Sequence, residues 1–183
     1  GSPYTCMVTD ANGCSNPTTL VITEPLPIDT LSTFSTPTNC NDDSDGSATV
    51  TADPSTGTPP FSYSWNDILL QQTQTALNLT AGAYECEITD INGCSSPLNP
   101  VIVTVNEPDE LVATVSSTIN VSCTGESDGE ATVLVTGGTE GSGYIYQWTT
   151  NPPPGIIFSA NSTATGLSGS VSGISYTCTV TDV

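Results

Sequence analysis

Short runs in which apolar and polar positions alternate, broken every few residues by Gly, Pro, Asn or Asp, cover nearly the whole chain. Ser47 to Ala52, Phe61 to Trp65, Tyr84 to Asp90 and Val101 to Val105 are rich in β-branched or aromatic residues, and each run predicts a strand. No stretch repeats its apolar positions at helical spacing. The expectation is an all-β chain. About seven short strands per unit, with turn signals every 8–12 residues or so, predict tandem immunoglobulin-like Greek-key β-sandwich modules of about 83 residues.

Internal repetition sets the domain organisation. YTCMVTDANGC, from Tyr4 to Cys14, returns as YECEITDINGC from Tyr84 to Cys94 and begins again as YTCTVTDV at Tyr176. Cys40 opens CNDDSDGSATV and Cys123 opens CTGESDGEATV; FSYSW ends at Trp65 and YIYQW at Trp148; Glu24-Pro25 recurs as Glu107-Pro108. The matches divide the chain into the C-terminal part of a first module (1–25), a complete second module (26–108) and a third module (109–183) truncated before its last strand. The third has a longer stretch between its Trp and its Tyr. The chain opens in mid-motif without Met, so it is expected to be a piece of something longer.

Local turn chemistry adds detail. Leu79, Gly82 and Tyr84 precede Cys86 in the order of a tyrosine corner between strands E and F, and Trp65 falls where strand C places a core tryptophan. Asp10-Ala11-Asn12-Gly13 has the residues of a type I turn closed by a left-handed Gly, which makes it the F–G hairpin. In that register Cys6 opposes Thr18, and Cys6 and Cys14 lie about 13 Å apart along the sheet, too far for a disulfide. Cys40, before strand B, and Cys86, at the start of strand F, belong to one pole of the sandwich. The expected disulfides are therefore Cys40 with Cys86 and Cys123 with Cys178, leaving Cys14 and Cys94 at the opposite pole.

Charge then removes whole classes of function. The 183 residues include no Lys, Arg or His and 19 Asp plus Glu, a net charge of −19. Without basic residues nothing neutralises phosphates, so nucleic-acid binding and phosphoryl transfer drop out. Without His there is no Ser-His or Cys-His nucleophile pair and no imidazole ligand for zinc. No apolar run approaches the ~20 residues that span a bilayer as a helix, so no membrane insertion is expected. With no cationic side chain, every carboxylate must be met by water, a backbone N–H, a hydroxyl or a bound cation. A carboxylate pair is the remaining route to catalysis, and a small repeated sandwich has no room for the cleft a glycosidase needs. The chain is not expected to be an enzyme, and no catalytic residue is assigned.

Two constellations remain as candidate sites. Asn41, Asp43 and Asp45, before Gly46, fit the opening of a calcium loop, and Glu126 and Asp128 occupy the equivalent turn. The twelfth position is Ala52, so the bidentate Glu of an EF-hand is missing, and a plain Asp-Gly turn between strands A and B is the competing reading. Phe61, Tyr63 and Trp65, like Tyr144, Tyr146 and Trp148, sit at i, i+2 and i+4 of a strand and point to one face. Such a row fills the space between two sheets, or, if exposed, serves as a platform for stacking sugar rings. Calcium is the single candidate cofactor.

The series C-x-x-x-S-D-G-x-A-T-V, a Gly/Pro turn, an aromatic-x-Tyr-x-Trp strand and a Gly-x-Tyr leading into V-T-D-x-N-G-C resembles the SprB-type repeat of giant cell-surface adhesins of gliding Bacteroidetes. The resemblance covers the second module and nearly all of the third. One departure is the cysteine at Cys86 and Cys178, where the family more often has an aliphatic residue. The resemblance implies an extracellular, type IX-exported protein of many tandem copies, acting at the cell surface in adhesion or gliding motility. It also makes Thr30, in Asp29-Thr30-Leu31, a candidate O-glycosylation site. The expected function is a non-enzymatic structural or adhesive segment, a stalk or filament; the alternative is a lectin-like or calcium-dependent ligand-binding module. The expected partners are neighbouring modules of the same chain, then surface polysaccharide or identical chains.

Overall fold

Alternation along the sequence becomes fourteen strands and, among the described residues, no helix. The computed structural model describes residues 1–97, 100–139, 143–151, 156–157, 159–171 and 173–183. In the first module β1 (Pro3–Thr9) and β2 (Ser15–Val21) form a hairpin in which Cys6 stands opposite Thr18, the register the turn residues predict. Gly13, at φ 88°, takes the left-handed position, and its N–H donates to the Asp10 carbonyl at 3.0 Å. One Asp10 carboxylate oxygen accepts from the N–H groups of Asn12 and Cys14, both at 2.9 Å.

The second module contains β3 (Thr30–Thr36), β4 (Gly46–Ala52), β5 (Ser62–Trp65), β6 (Thr75–Leu79), β7 (Gly82–Thr89) and β8 (Val101–Val105). They form two sheets, β3-β4-β6 and β5-β7-β8, the A-B-E and C-F-G arrangement of an immunoglobulin-like Greek key. The third module has β9 (Asp109–Ile119), β10 (Gly129–Gly138), β11 (Tyr144–Asn151), β12 (Ile156–Ile157), β13 (Thr163–Leu167) and β14 (Ser175–Asp182). Its sheets, β9-β10-β13 and β12-β11-β14, follow the same plan. Part of its longer stretch between Trp148 and Tyr176 lies outside the described residues.

Packing follows from the period of two. Along β4, Ala48, Val50 and Ala52 are buried while Ser47, Thr49 and Thr51 are half-buried. Trp65 is 1% exposed and Trp148 2%, and each indole N–H is satisfied: Trp65 donates to the Thr73 carbonyl at 2.8 Å, Trp148 to the Asn161 carbonyl at 3.1 Å. The Ala52 N–H, on β4, donates to the Tyr63 hydroxyl, on β5, at 3.4 Å and ties one sheet to the other. In the third module Val133, Trp148, Ala164 and Leu167 make the core, with Tyr146, Tyr176 and Cys178 packed against it. The Tyr176 hydroxyl donates to the Ser168 carbonyl at 2.8 Å, closing the tyrosine corner before β14. On the polar face of the first sheet in each module a threonine pair bridges two strands: Thr49 with Thr75 and Thr132 with Thr163, both at 2.9 Å.

Compactness and repeat period divide the chain differently. One unit comprises Gly1–Ser35, Ala48–Ala76 and Ala83–Thr104, the other Thr36–Ser47, Leu77–Gly82 and Val105–Val183. Within the second unit, the turn before β4 is bonded to the Glu-Pro segment that enters the third module. The Thr38 N–H donates to the Asn106 carbonyl at 3.0 Å, the Asp42 N–H to Glu107 Oε2 at 2.9 Å and Asn41 Nδ2 to the Pro108 carbonyl at 3.3 Å.

The buried indoles give a direct test of the packing. Trp65→Ala is expected to lower unfolding stability by about 3–5 kcal/mol, the range for a buried aromatic deleted from a core. Ser64→Ala, at an exposed position on the same strand, should change it by less than about 0.5 kcal/mol. Urea denaturation followed by circular dichroism reads both.

Candidate functional site

The turn between strands A and B is built alike in both modules. The Asp43 N–H donates to the Cys40 carbonyl at 3.3 Å, and the Glu126 N–H to the Cys123 carbonyl at 3.2 Å. Asp45 then reaches back across the turn: one carboxylate oxygen accepts from the Asn39 N–H at 3.0 Å and the other from Asn39 Nδ2. Asp128 accepts from the Ser122 N–H at 3.0 Å in the same way. The hydroxyl and backbone N–H of Ser122 hold the Asp128 carboxyl below the ordinary carboxylate value. Asp43 accepts from the Ser44 N–H at 2.8 Å, and the Asn41 amide is turned to Pro108. Among the described residues no three His, Cys, Asp or Glu side chains gather where a metal ion could sit. The structure thus does not assemble Asn41, Asp43 and Asp45, or Glu126 and Asp128, into a calcium cage; the carboxylates of Asp43, Asp45 and Asp128 close turns instead.

The aromatic rows turn inward. Phe61 and Tyr63 are half-buried beside Trp65, as are Tyr144 and Tyr146 beside Trp148. The Tyr144 hydroxyl donates to the Gly137 carbonyl at 2.6 Å, and its ring meets Tyr146 edge to face at 6.5 Å. Neither tryptophan offers a free ring face on which a sugar could stack.

Neither expected disulfide is present; all seven cysteines are free thiols. Cys40 and Cys123 are exposed, on the turns, while Cys86 is fully buried and Cys178 half-buried, each directly opposite a tryptophan in the sheet. The reason is the pleat: strand F aims every second side chain at the core, and the cysteine sits on the core side. Burial pushes the Cys86 thiol up to about 11. Cys14 and Cys94 are exposed beside their F–G turns. Thr30 is half-buried at the start of β3, its N–H donating to Asp29 Oδ1 at 2.8 Å.

Two features escaped the sequence reading. One is the bonding of the Glu107-Pro108 segment to the A–B turn, for which the recurring Glu-Pro pair was the available signal. The other is the turn after β5, where Ile68, Leu69 and Leu70 are 99%, 65% and 69% exposed. The buried Asp67 carboxylate holds that turn, accepting from the N–H groups of Leu69 at 3.2 Å and Gln71 at 2.9 Å.

The geometry is that of repeated small sandwiches whose polar groups are used to close turns. Residues 32–69 and 115–153 match the family model of the SprB repeat. These two stretches are similar to the SprB repeat. Each match runs from the first strand of its module to the aromatic strand or just beyond it, so it includes the A–B turn and the Trp. No curated protein matches the chain. Among solved structures, the three N-terminal domains of the bacteriophage RB49 highly immunogenic outer capsid protein (Hoc) are 14% identical, with a TM-score of 0.44; the match covers 84% of this chain and 58% of that one. Extracellular domains 3–5 of Drosophila OTK are 14% identical, with a TM-score of 0.29, over 99% of this chain and 70% of that one.

Two measurements probe these modules. In a DTNB titration of the native chain, Cys6, Cys14, Cys40, Cys94 and Cys123 should react promptly, and Cys86 only on unfolding, because burial disfavours its thiolate. A loss of the Cys40 and Cys123 signals restored by reductant would instead show that the bridges form. Asp128→Asn should melt at a lower temperature than the parent at pH 7. Because the folded pKa lies below the unfolded value of about 3.9, the contribution is complete above that pH and is lost as pH falls through the folded value. The gap between the two melting curves should therefore close on acidification below about pH 3.9.

Proposed function

We propose that this stretch is a non-enzymatic structural and adhesive segment, part of the stalk or filament of a secreted bacterial cell-surface adhesin. The observation that carries this reading is the tandem recurrence of one SprB-repeat plan, with both aromatic rows turned into the sandwich. A repeated module with its aromatics in the core and its carboxylates in turns is suited to spacing and bearing load. An extracellular setting agrees with the family. The complete absence of Lys and Arg leaves trypsin-like proteases no cleavage point, which suits an exposed chain. Export by the type IX route and a part in gliding motility belong to the same proposal and rest on the family resemblance.

Titration with soluble bacterial surface polysaccharides separates this reading from a lectin-like one. The fluorescence of Trp65 and Trp148 should stay unchanged, and calorimetry should show no saturable heat, whether or not calcium is added. Saturable quenching would overturn the stalk reading in favour of a carbohydrate-binding module, and a calcium requirement for it would return the acidic turns to the site.

A further inference from the structure

Of the asparagines in the chain, only Asn12 and Asn92 stand before a glycine, each in the Asn-Gly of an F–G turn. That dipeptide has a chemistry of its own. With no side chain on the glycine to hinder it, the glycine backbone nitrogen can attack the asparagine Cγ and close a five-membered ring.

The F–G turn of the second module keeps the reacting groups apart. The Gly93 N–H donates to the Asp90 carbonyl at 3.0 Å, so the attacking nitrogen is tied into the turn. One Asp90 carboxylate oxygen accepts from the N–H groups of Asn92 and Cys94, both at 2.9 Å, and the Asp90 N–H donates to the Cys94 carbonyl at 2.9 Å. Neither Ile91 nor Asn92 has a positive φ, which with the bond from Gly93 to Asp90 makes a type I turn whose second central residue, Asn92, has ψ of about 0°. Ring closure needs Asn92 Cβ and the Gly93 nitrogen eclipsed about the Cα–C bond, a rotation of about 120° from that ψ. The turn has to open before the ring can close. Nothing else shields the pair: both residues are exposed, and no atom lies within 4 Å of a Cβ placed on Gly93. Asn12-Gly13 is held by the same bonds to Asp10.

We propose that Asn92 is a deamidation site gated by the F–G turn, silent while the turn is closed and converted irreversibly when the module opens. The freed Gly93 nitrogen gives up its proton and bonds to Asn92 Cγ, and the side-chain amide takes up a proton and leaves as ammonia. Water then adds to one or other carbonyl of the succinimide and opens it to aspartate or isoaspartate, ionised at neutral pH. Isoaspartate carries the backbone through the side chain and is one methylene longer, so the donors that met Asp90 no longer fall in register. The new carboxylate also stands two residues from Asp90, with no cationic side chain anywhere in the chain to offset the pair. A module that has opened and reacted is thereby kept from closing on the same turn.

The full chain, native and unfolded in urea, is incubated at mildly alkaline pH and mapped by mass spectrometry after cleavage at acidic residues, reading the mass change from amide to acid at each asparagine. In urea, Asn12 and Asn92 should convert ahead of every other asparagine. In the native chain Asn92 should convert at least about tenfold more slowly than in urea, because only the open fraction reacts. Once urea is removed, the aged chain should regain less β-sheet circular dichroism than an Asn92→Gln chain aged in the same way, since glutamine has to close a larger ring and does so far more slowly. Freshly prepared, the two should refold alike; if the variant does not, the comparison of native with unfolded parent still decides the matter without it. Conversion of Asn92 as fast in the native chain as in urea overturns the proposal. So does conversion in urea spread evenly over the asparagines, or equal refolding of the aged parent and the aged variant. None of these readings involves a ligand, so the stalk reading is left to its own test.

Discussion

The absence of any cationic side chain governs how this protein handles polarity. No ion pair between side chains can form, and the carboxylates turn instead to backbone N–H groups. Asp10, Asp29, Asp43, Asp45, Asp53, Asp67, Asp90, Glu107, Asp128 and Asp182 each accept at least one. A hydrogen bond to an ionised acceptor is roughly twice as strong as a neutral one. It also gives a partner to backbone donors that a turn would otherwise leave to water. The negative charge of the chain is thus in large part its turn chemistry.

Those turns in turn set the sheets. Asp90 repeats the hairpin geometry of Asp10, accepting from the N–H groups of Asn92 and Cys94 at 2.9 Å, and its second oxygen accepts from the Thr58 N–H at 3.1 Å. Asp182 accepts from the Thr139 N–H at the matching place of the third module. One aspartate therefore anchors both the F–G end and the turn leading to the aromatic strand. Strand C then lies against strand F with Trp65 opposite Cys86 and Trp148 opposite Cys178. A cysteine there serves as a small apolar neighbour for an indole, which accounts for its burial.

Local features were open to reading from the sequence, and long-range ones were not. The strand runs, the F–G register and the core tryptophans follow from period-two alternation and from Asp and Gly at fixed turn positions, properties of a few adjacent residues. The acidic turn left a calcium loop and a plain Asp-Gly turn both open, because oxygen spacing along a chain says nothing of where the oxygens point. Asp45 resembles a ligand in sequence, yet its nearest donor is Asn39, six residues back. The cysteine pairing failed for a similar reason: membership of one pole does not place two thiols on the same side of the pleat.

The threonine bridges between strands have a further consequence. β3, β4 and β6 contain no ionisable side chain at all, and in the Thr49–Thr75 pair either hydroxyl can be the donor. That flank of the second module behaves as a neutral, polyol-like stave, hydrated through groups that reorient to suit whatever approaches. The electric field of the module is left to its loops and to Glu85 and Glu87 on the other sheet.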